Sequence, residues 1–278
     1  MNPDLKVALI QQHAGSDRRS NLERGLAAVR SAAAAGAQLL CFAELAFDRF
    51  FPQRRASSRE QSLRLAETVP GPTTDALARL ARELNVTIVG NLFERDGEHT
   101  YDTSPVIDAD GTLLGKTRMV HIADFEGFRE RDYYRPGDAG APVYDTACGR
   151  IGVAICYDRH FPEYMRALGL ARADVVLVPQ AGTVGEWPAG LYEAELRVAA
   201  FQNGYFVALC NRVGREHDLD FAGHSFVCDP HGEIIGQAKA GEDDILICRL
   251  DASRLADSPA RRHFLGDRRP EVYRDWFG

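Results

Sequence analysis

One stretch of the chain gathers residue types that could do chemistry together: residues 151–163, IGVAICYDRHFPE. Its first five residues are small or apolar and read as a buried strand that ends at Cys156, while Pro162 suits the first turn of a following helix. A thiol on such a strand-to-helix turn would sit beside backbone N–H groups and the positive end of a helix. Those surroundings favour the thiolate and present it to a substrate. A buried structural thiol is the commoner fate of a cysteine, but the polar run Tyr157 to His160 directly after the strand speaks for a nucleophile at Cys156. Glu44 ends another apolar run, AQLLCFA, at the carboxyl end of an expected strand, where open α/β sheets gather their sites. A carboxyl group there could take the thiol proton and later return it to a leaving amine, a role that a desolvated pocket would favour by raising its pKa. Taken alone, a glutamate after a strand is more often a cap or a surface charge.

The elements that must position these groups are short β-type runs alternating with helical ones. Strands are expected over 5–11, 37–43, 86–93, 101–108, 112–122, 150–156 and 174–179, and helices over 20–36, near 73–85, from 162 and around 187–204. The stretch to about 142 reads as irregular. The final third is richer in strand, over 205–211, 222–229, 233–239 and 244–250, with a tight turn at Asp229-Pro230-His231-Gly232. No linker, composition break or internal repeat divides residues 1–278, so one domain is expected, with 251–278 as a polar, arginine-rich tail. Alternation followed by a β-rich half implies an αββα sandwich, two central sheets covered by outer helices.

Composition bounds the function. A net charge of −7 argues against a general nucleic-acid binder, and 45% apolar with 26% charged residues is an ordinary globular balance. No run approaches the length needed to span a membrane, and MNPDLKVALIQQ has no signal-peptide character, which points to the cytoplasm. The six cysteines form no CxxC pair, and all but Cys156 read as buried, reduced thiols. The eight histidines show no metal-ligand spacing such as HxxxH, so no metal is expected, and His121 reads as a hydrogen-bonded structural residue. Lysine is scarce: Lys6, Lys116 and Lys239 are the whole supply.

The segment IGVAICYDRHFPEYMRALGLARADVVLVPQ resembles the nucleophile segment of the nitrilase superfamily, the carbon–nitrogen hydrolases. The resemblance continues in QLLCFAELAF, from DGTLLGKTRMVHI to YYRPGD, in FQNGYFVALCNRVG and in DRRPEVY, and so spans nearly the whole chain in order. It implies an αββα fold, a Glu–Lys–Cys catalytic set, no cofactor, and a homodimer or larger homo-oligomer with the 251–278 tail at a subunit boundary. It also reverses the bland reading of Glu44.

Within the resemblance, Glu130 of GFRERDYYRPGD is similar to a second glutamate that positions the lysine and the substrate, with Glu126 as a nearby rival. Arg159 is similar to an arginine that binds the substrate carboxylate in N-carbamoyl amino acid hydrolases and β-ureidopropionase-like members. A guanidinium suits that task and His160 could add a donor, while backbone N–H groups near Tyr157 could serve a developing oxyanion. A salt bridge from Arg159 to Asp158 or Glu163 is the competing use. The lysine departs from the pattern. Aligning His121 with the motif histidine puts Met119 in its slot, and Lys116, three residues earlier, would face the other side of a strand. Three outcomes stand open: Lys116 reaches the pocket, Arg118 or another cation substitutes, or activity is altered or lost. The implied function is hydrolysis of an amide or N-carbamoyl group on a small, carboxylate-bearing substrate through a thioester on Cys156. The alternative is a non-catalytic relative kept for ligand binding or assembly.

Overall fold

A computed structural model of the chain describes residue 1 and residues 3–276; Asn2, Phe277 and Gly278, the last two belonging to the expected tail, lie outside the described residues. Two mixed sheets form the centre. In the first, strands lie in the order Asp244–Arg249, Lys6–Gln11, Leu39–Phe42, Thr87–Val89, His99–Ile107, Leu92–Asp96, with Leu113–Arg118 also paired to His99–Ile107. In the second the order is Ile234–Gln237, Phe226–Cys228, Phe206–Asn211, Val175–Gln180, Gly149–Val153, Val143–Thr146.

Side-chain alternation along these strands builds three apolar layers. Val7, Leu9, Leu39 and Cys41 point inward and meet Ile151, Val153, Val175 and Leu177 of the other sheet. Their neighbours Ala8, Ile10, Leu40 and Phe42 point outward onto the helices Arg18–Ala34 and Pro72–Leu84 through Val29, Leu77 and Leu80. Val176, Val178, Val207 and Leu209 likewise pack against Pro162–Leu170 and Leu191–Asn203 through Leu168, Leu196 and Ala200. Strands buried on both faces are near-continuous apolar runs. The result is the expected αββα sandwich.

Three expectations need amending, the first being the strand over 222–229, which is split into the end of Leu219–Ala222 and Phe226–Cys228. The single strand over 86–93 is two, Thr87–Val89 and Leu92–Asp96, broken at Gly90-Asn91. The break turns the Asn91 side chain into the interior, where it bonds Leu45 N–H, Asp102 and Ser104. Val143–Thr146 is an edge strand next to the stretch read as irregular. Among the described residues, no helix is long and apolar enough to cross a membrane.

Candidate active site

Cys156 follows the strand Gly149–Val153 and opens a short 3-10 turn, Cys156–His160, before the helix that begins at Pro162. Its φ is +44°, in the sparsely populated left-handed region, and Leu45, the residue after Glu44, has φ +45°. Both sheets therefore end their inner strands in a sharp elbow, one carrying the thiol and one the carboxyl. The Cys156 turn is held from within: the buried Asp158 carboxylate accepts from Val120 N–H at 3.2 Å, from His121 N–H at 2.9 Å and from His121 Nδ1 at 2.7 Å. His121 is also stacked on Phe161.

The Glu44 elbow is built by Arg212, whose Nη1 donates to the Glu44 carbonyl at 2.7 Å and whose Nη2 donates to the Asp48 carbonyl at 2.8 Å. Glu216 balances that buried guanidinium. The Glu44 side chain is fully buried, near enough to Cys156 and Asp102 to be influenced by both, and neither of its oxygens has a hydrogen-bond partner. Burial, and next the charge of Glu130, push its pKa up to about 8. Glu130 is equally buried; Ala123 N–H donates to its Oε2 at 3.3 Å and its Oε1 has no donor. Burial, then Asp102, hold Glu130 well above the usual carboxylate range.

Cys156 is 5% exposed. Burial, and then the charges of Glu44 and Glu130, push its thiol well up, against a smaller opposing pull from Arg159 and the Ala181 N–H. This corrects the expectation of a thiolate favoured by its turn: the helix end and the N–H groups are outweighed by desolvation and two acids. The balance favours thiol over thiolate.

Lys116 does not join this cluster. Its ammonium is held by Glu94 and by the Val69 carbonyl at 3.3 Å. On the strand Leu113–Arg118, Lys116 and Arg118 share the face that meets Glu94, while Thr117 contacts Tyr144 on the opposite face. Met119 is fully buried in the layer between the sheets. Arg118 is no substitute, being committed to Glu94 at 2.7 Å and Asp96 at 2.7 Å.

Arg159 is buried but bonds neither Asp158 nor Glu163. Its Nη1 donates to the Cys156 carbonyl at 2.9 Å and to Gln180 Oε1 at 2.8 Å, its Nε lies 3.2 Å from Glu195, and its guanidinium stacks over Tyr192. Nη2 has no acceptor. His160 Nδ1 is taken by Glu195 at 2.7 Å. Tyr157 is half-buried against Phe125, His160 and Phe161.

Sequence reasoning missed Asp102, Asn91, Arg212 and Tyr134. The Tyr134 hydroxyl is buried without a partner and its pKa is raised by burial and by Asp102, Glu44, Glu130 and Cys156. Among the described residues, no group of His, Cys, Asp or Glu is arranged to hold a metal ion.

Residues 6–260 match the family model described as carbon-nitrogen hydrolase. The chain belongs to the carbon–nitrogen hydrolases of the nitrilase superfamily. Among curated relatives of this hydrolase, an N-carbamoylputrescine amidase of Solanum lycopersicum is 33% identical, with 97% of this chain and 94% of that protein covered. A carbon-nitrogen hydrolase from Helicobacter pylori G27 superposes with a TM-score of 0.91 at 26% identity, covering 99% of this chain and 98% of the other. A glutamate-to-glutamine variant of an amidase from Nesterenkonia sp. AN1 superposes with a TM-score of 0.81 at 27% identity, again covering 99% and 98%. That structure carries the acetamide moiety of fluoroacetamide added covalently at its active site cysteine.

Proposed function

We propose that this hydrolase cleaves a small amide or N-carbamoyl substrate with Cys156 as nucleophile and Glu44 as the proton carrier. What supports the reading is that Cys156 and the buried Glu44 each stand at the elbow that ends an inner strand, near enough to act on each other's titration, with burial pushing the Glu44 pKa up to about 8, suited to taking and giving a proton. As sulfur bonds to the carbonyl carbon, its proton passes to Glu44; as the carbon–nitrogen bond breaks, Glu44 returns that proton to the departing nitrogen. Water then gives its proton to Glu44 while adding to the acylated or carbamoylated sulfur. The carbon–sulfur bond breaks, and the proton goes back to sulfur. Glu130 positions substrate, the free Nη2 of Arg159, with His160, meets a substrate carboxylate, and backbone N–H groups near Tyr157 serve the oxyanion. The similarity to an N-carbamoylputrescine amidase supports a carbamoyl group.

The same reading takes residues 1–278 as one domain working in the cytoplasm as a homodimer or larger assembly, with 251–278 at a subunit boundary. No metal or cofactor takes part in the scheme, and neither nucleic acid nor membrane is a partner.

A second reading, a weakened or non-catalytic relative, is favoured by Met119 at the lysine position. Two measurements divide them: ammonia release across small amides and ureido acids for wild type and Cys156→Ala, and intact mass after exposure to fluoroacetamide, whose fluoride the sulfur would displace. Turnover lost in Cys156→Ala, with an adduct on Cys156, supports the hydrolase. No turnover and no adduct across the panel would sink it.

A further inference from the structure

The interior holds three carboxyl groups where the sequence leads one to expect a lysine among them. Glu44, Asp102 and Glu130 are each fully buried, and each has at least one oxygen without a donor. All three lysines are elsewhere: Lys6 on the Ala35 carbonyl, Lys116 on Glu94 and Lys239 on Glu242. The register that pairs Thr103 with Arg118 and Ser104 with Thr117 sets Asp102 directly opposite Met119, and Met119 N–H donates to the Asp102 carbonyl at 3.0 Å. Residues opposite one another on antiparallel strands share a face. Asp102 and Met119 therefore stand side by side, facing the gap between the sheets.

Asp102 is also clamped. Asn91 Nδ2 donates to its Oδ1 at 2.6 Å and to Ser104 Oγ at 3.0 Å, while Asn91 Oδ1 accepts from Leu45 N–H at 2.7 Å. One buried amide thus ties Asp102 to the elbow that carries Glu44. The Asp102 and Glu44 carboxyls are near enough for each to act on the other's proton, and Asp102 Oδ2 has no N–H or hydroxyl donor.

We propose that Asp102 is a positioning residue that shares a proton with Glu44, its O–H donating to the Glu44 carboxylate and holding it as the acceptor for the Cys156 proton where no ammonium does so. The inference rests on the hydrolase reading for its consequence, though not for the existence of the pair. Two carboxylates this near to each other away from water cannot both ionise, so they retain one proton between them. The surroundings reinforce this: Glu44 also faces Glu130, Cys156 and the committed Arg212, Asp102 also feels Asp158, and the Tyr134 hydroxyl feels both. Burial and then Glu44 hold Asp102 well above the usual carboxylate range. The working state is the pair with one proton. Glu44 takes the thiol proton to make it two, and gives that proton to the leaving nitrogen.

The test uses the whole chain and two variants. Asp102→Asn keeps a donor to Glu44 and an acceptor for Asn91; Asp102→Leu keeps neither. Infrared difference spectra of the resting protein, in light and heavy water, read the pair without any substrate. A protonated-carboxyl band that persists above the pH at which activity turns on, vanishes in Asp102→Asn and shifts in Glu44→Gln is expected. The acid limb of kcat/KM should move to higher pH in the order wild type, Asn, Leu. Leu should be down about tenfold to a hundredfold at pH 7, the range for losing a hydrogen bond to a charged group, and should regain rate above its shifted limb. A purely structural residue would lower the rate at every pH without moving the limb, and that result overturns the proposal. So does loss of a carboxylate band, instead of a protonated one, in Asp102→Asn. If wild type neither turns over nor forms an adduct, the hydrolase reading falls, while the infrared bands still decide the pair.

Discussion

The Asp158 carboxylate accepts from His121 Nδ1 at 2.7 Å, and through that bond the turn bearing Cys156 is fastened to the segment that follows Met119. With the Val120 and His121 N–H groups it collects three donors from the neighbouring sheet's chain while belonging to the nucleophile's own turn. The turn that carries the sulfur is thereby tied to that segment by a buried acid. Asp158→Ala leaves those donors without a partner in a buried place. A loss of about 2–4 kcal/mol in urea-unfolding stability is expected, with slower fluoroacetamide labelling of Cys156 even where the fold persists. Labelling at the wild-type rate would mean that the turn holds its shape without the clamp.

Glu44 links acidity to stability, and the sign is opposite to that of a salt-bridged acid. Its folded pKa of about 8 lies above the ordinary 4.5, so between those values the folded chain holds a proton that the unfolded chain has released. Its contribution is full below pH 4.5 and is lost as pH rises through about 8. Glu44→Gln cannot ionise. It should match wild type near pH 4 and exceed it by an amount on the order of a few kcal/mol at alkaline pH, as equilibrium unfolding at the two pH values would read. The same variant should lose about 10²–10⁴ in kcat/KM, the usual worth of a placed acid–base group. Equal slopes of stability against pH for the two proteins would show that the carboxyl is not held neutral.

Met119 and Lys116 can be separated by a pair of substitutions. Met119→Lys puts an ammonium beside Asp102 and among three acids, where it lowers their pKa values and offers a donor to the developing oxyanion. Turnover of simple amides should rise, by up to about 10²–10³ if an oxyanion donor is what the site lacks, and the acid limb should move to lower pH. Lys116→Ala should leave turnover within about threefold, because Arg118 still satisfies Glu94. The reverse pattern, no gain at 119 and abolished turnover at 116, would make Lys116 the working cation.

Most of the sandwich was legible in the sequence, because its inner strands are short apolar runs with turn residues at their ends. Val175–Gln180 and Phe206–Asn211 are buried at every position and had no competing reading. Thr87–Val89 and Leu92–Asp96 were read as one strand because nothing local marks Asn91 as a residue whose amide would be wanted inside. Cys156 stood out from its own segment and Glu44 and Glu130 through the family resemblance, whereas Asp102 hid within HTYDTSPVI. Alternation places positions 102, 104 and 106 on one face, so an acid on the inward face was the available signal. Arg212 and Tyr134 could not be found that way: their importance lies in contacts across more than 160 residues for the first and in an unpaired hydroxyl for the second.

Arg159 is a clamp and a candidate recognition residue at once, so its test must compare substrates. Three of its interactions are internal, to the Cys156 carbonyl, Gln180 and Glu195, and only Nη2 is free to meet a ligand. Arg159→Ala removes the clamp and also the positive charge that opposes the rise in the Cys156 pKa, so kcat should fall for every substrate. Recognition shows in the difference. For an anionic amide, KM should rise about tenfold or more beyond any change for a neutral amide of equal size, the worth of a charge-assisted hydrogen bond. Equal changes in KM for the two would leave Arg159 as a support for the nucleophile's turn and remove the argument for a carboxylate-bearing substrate.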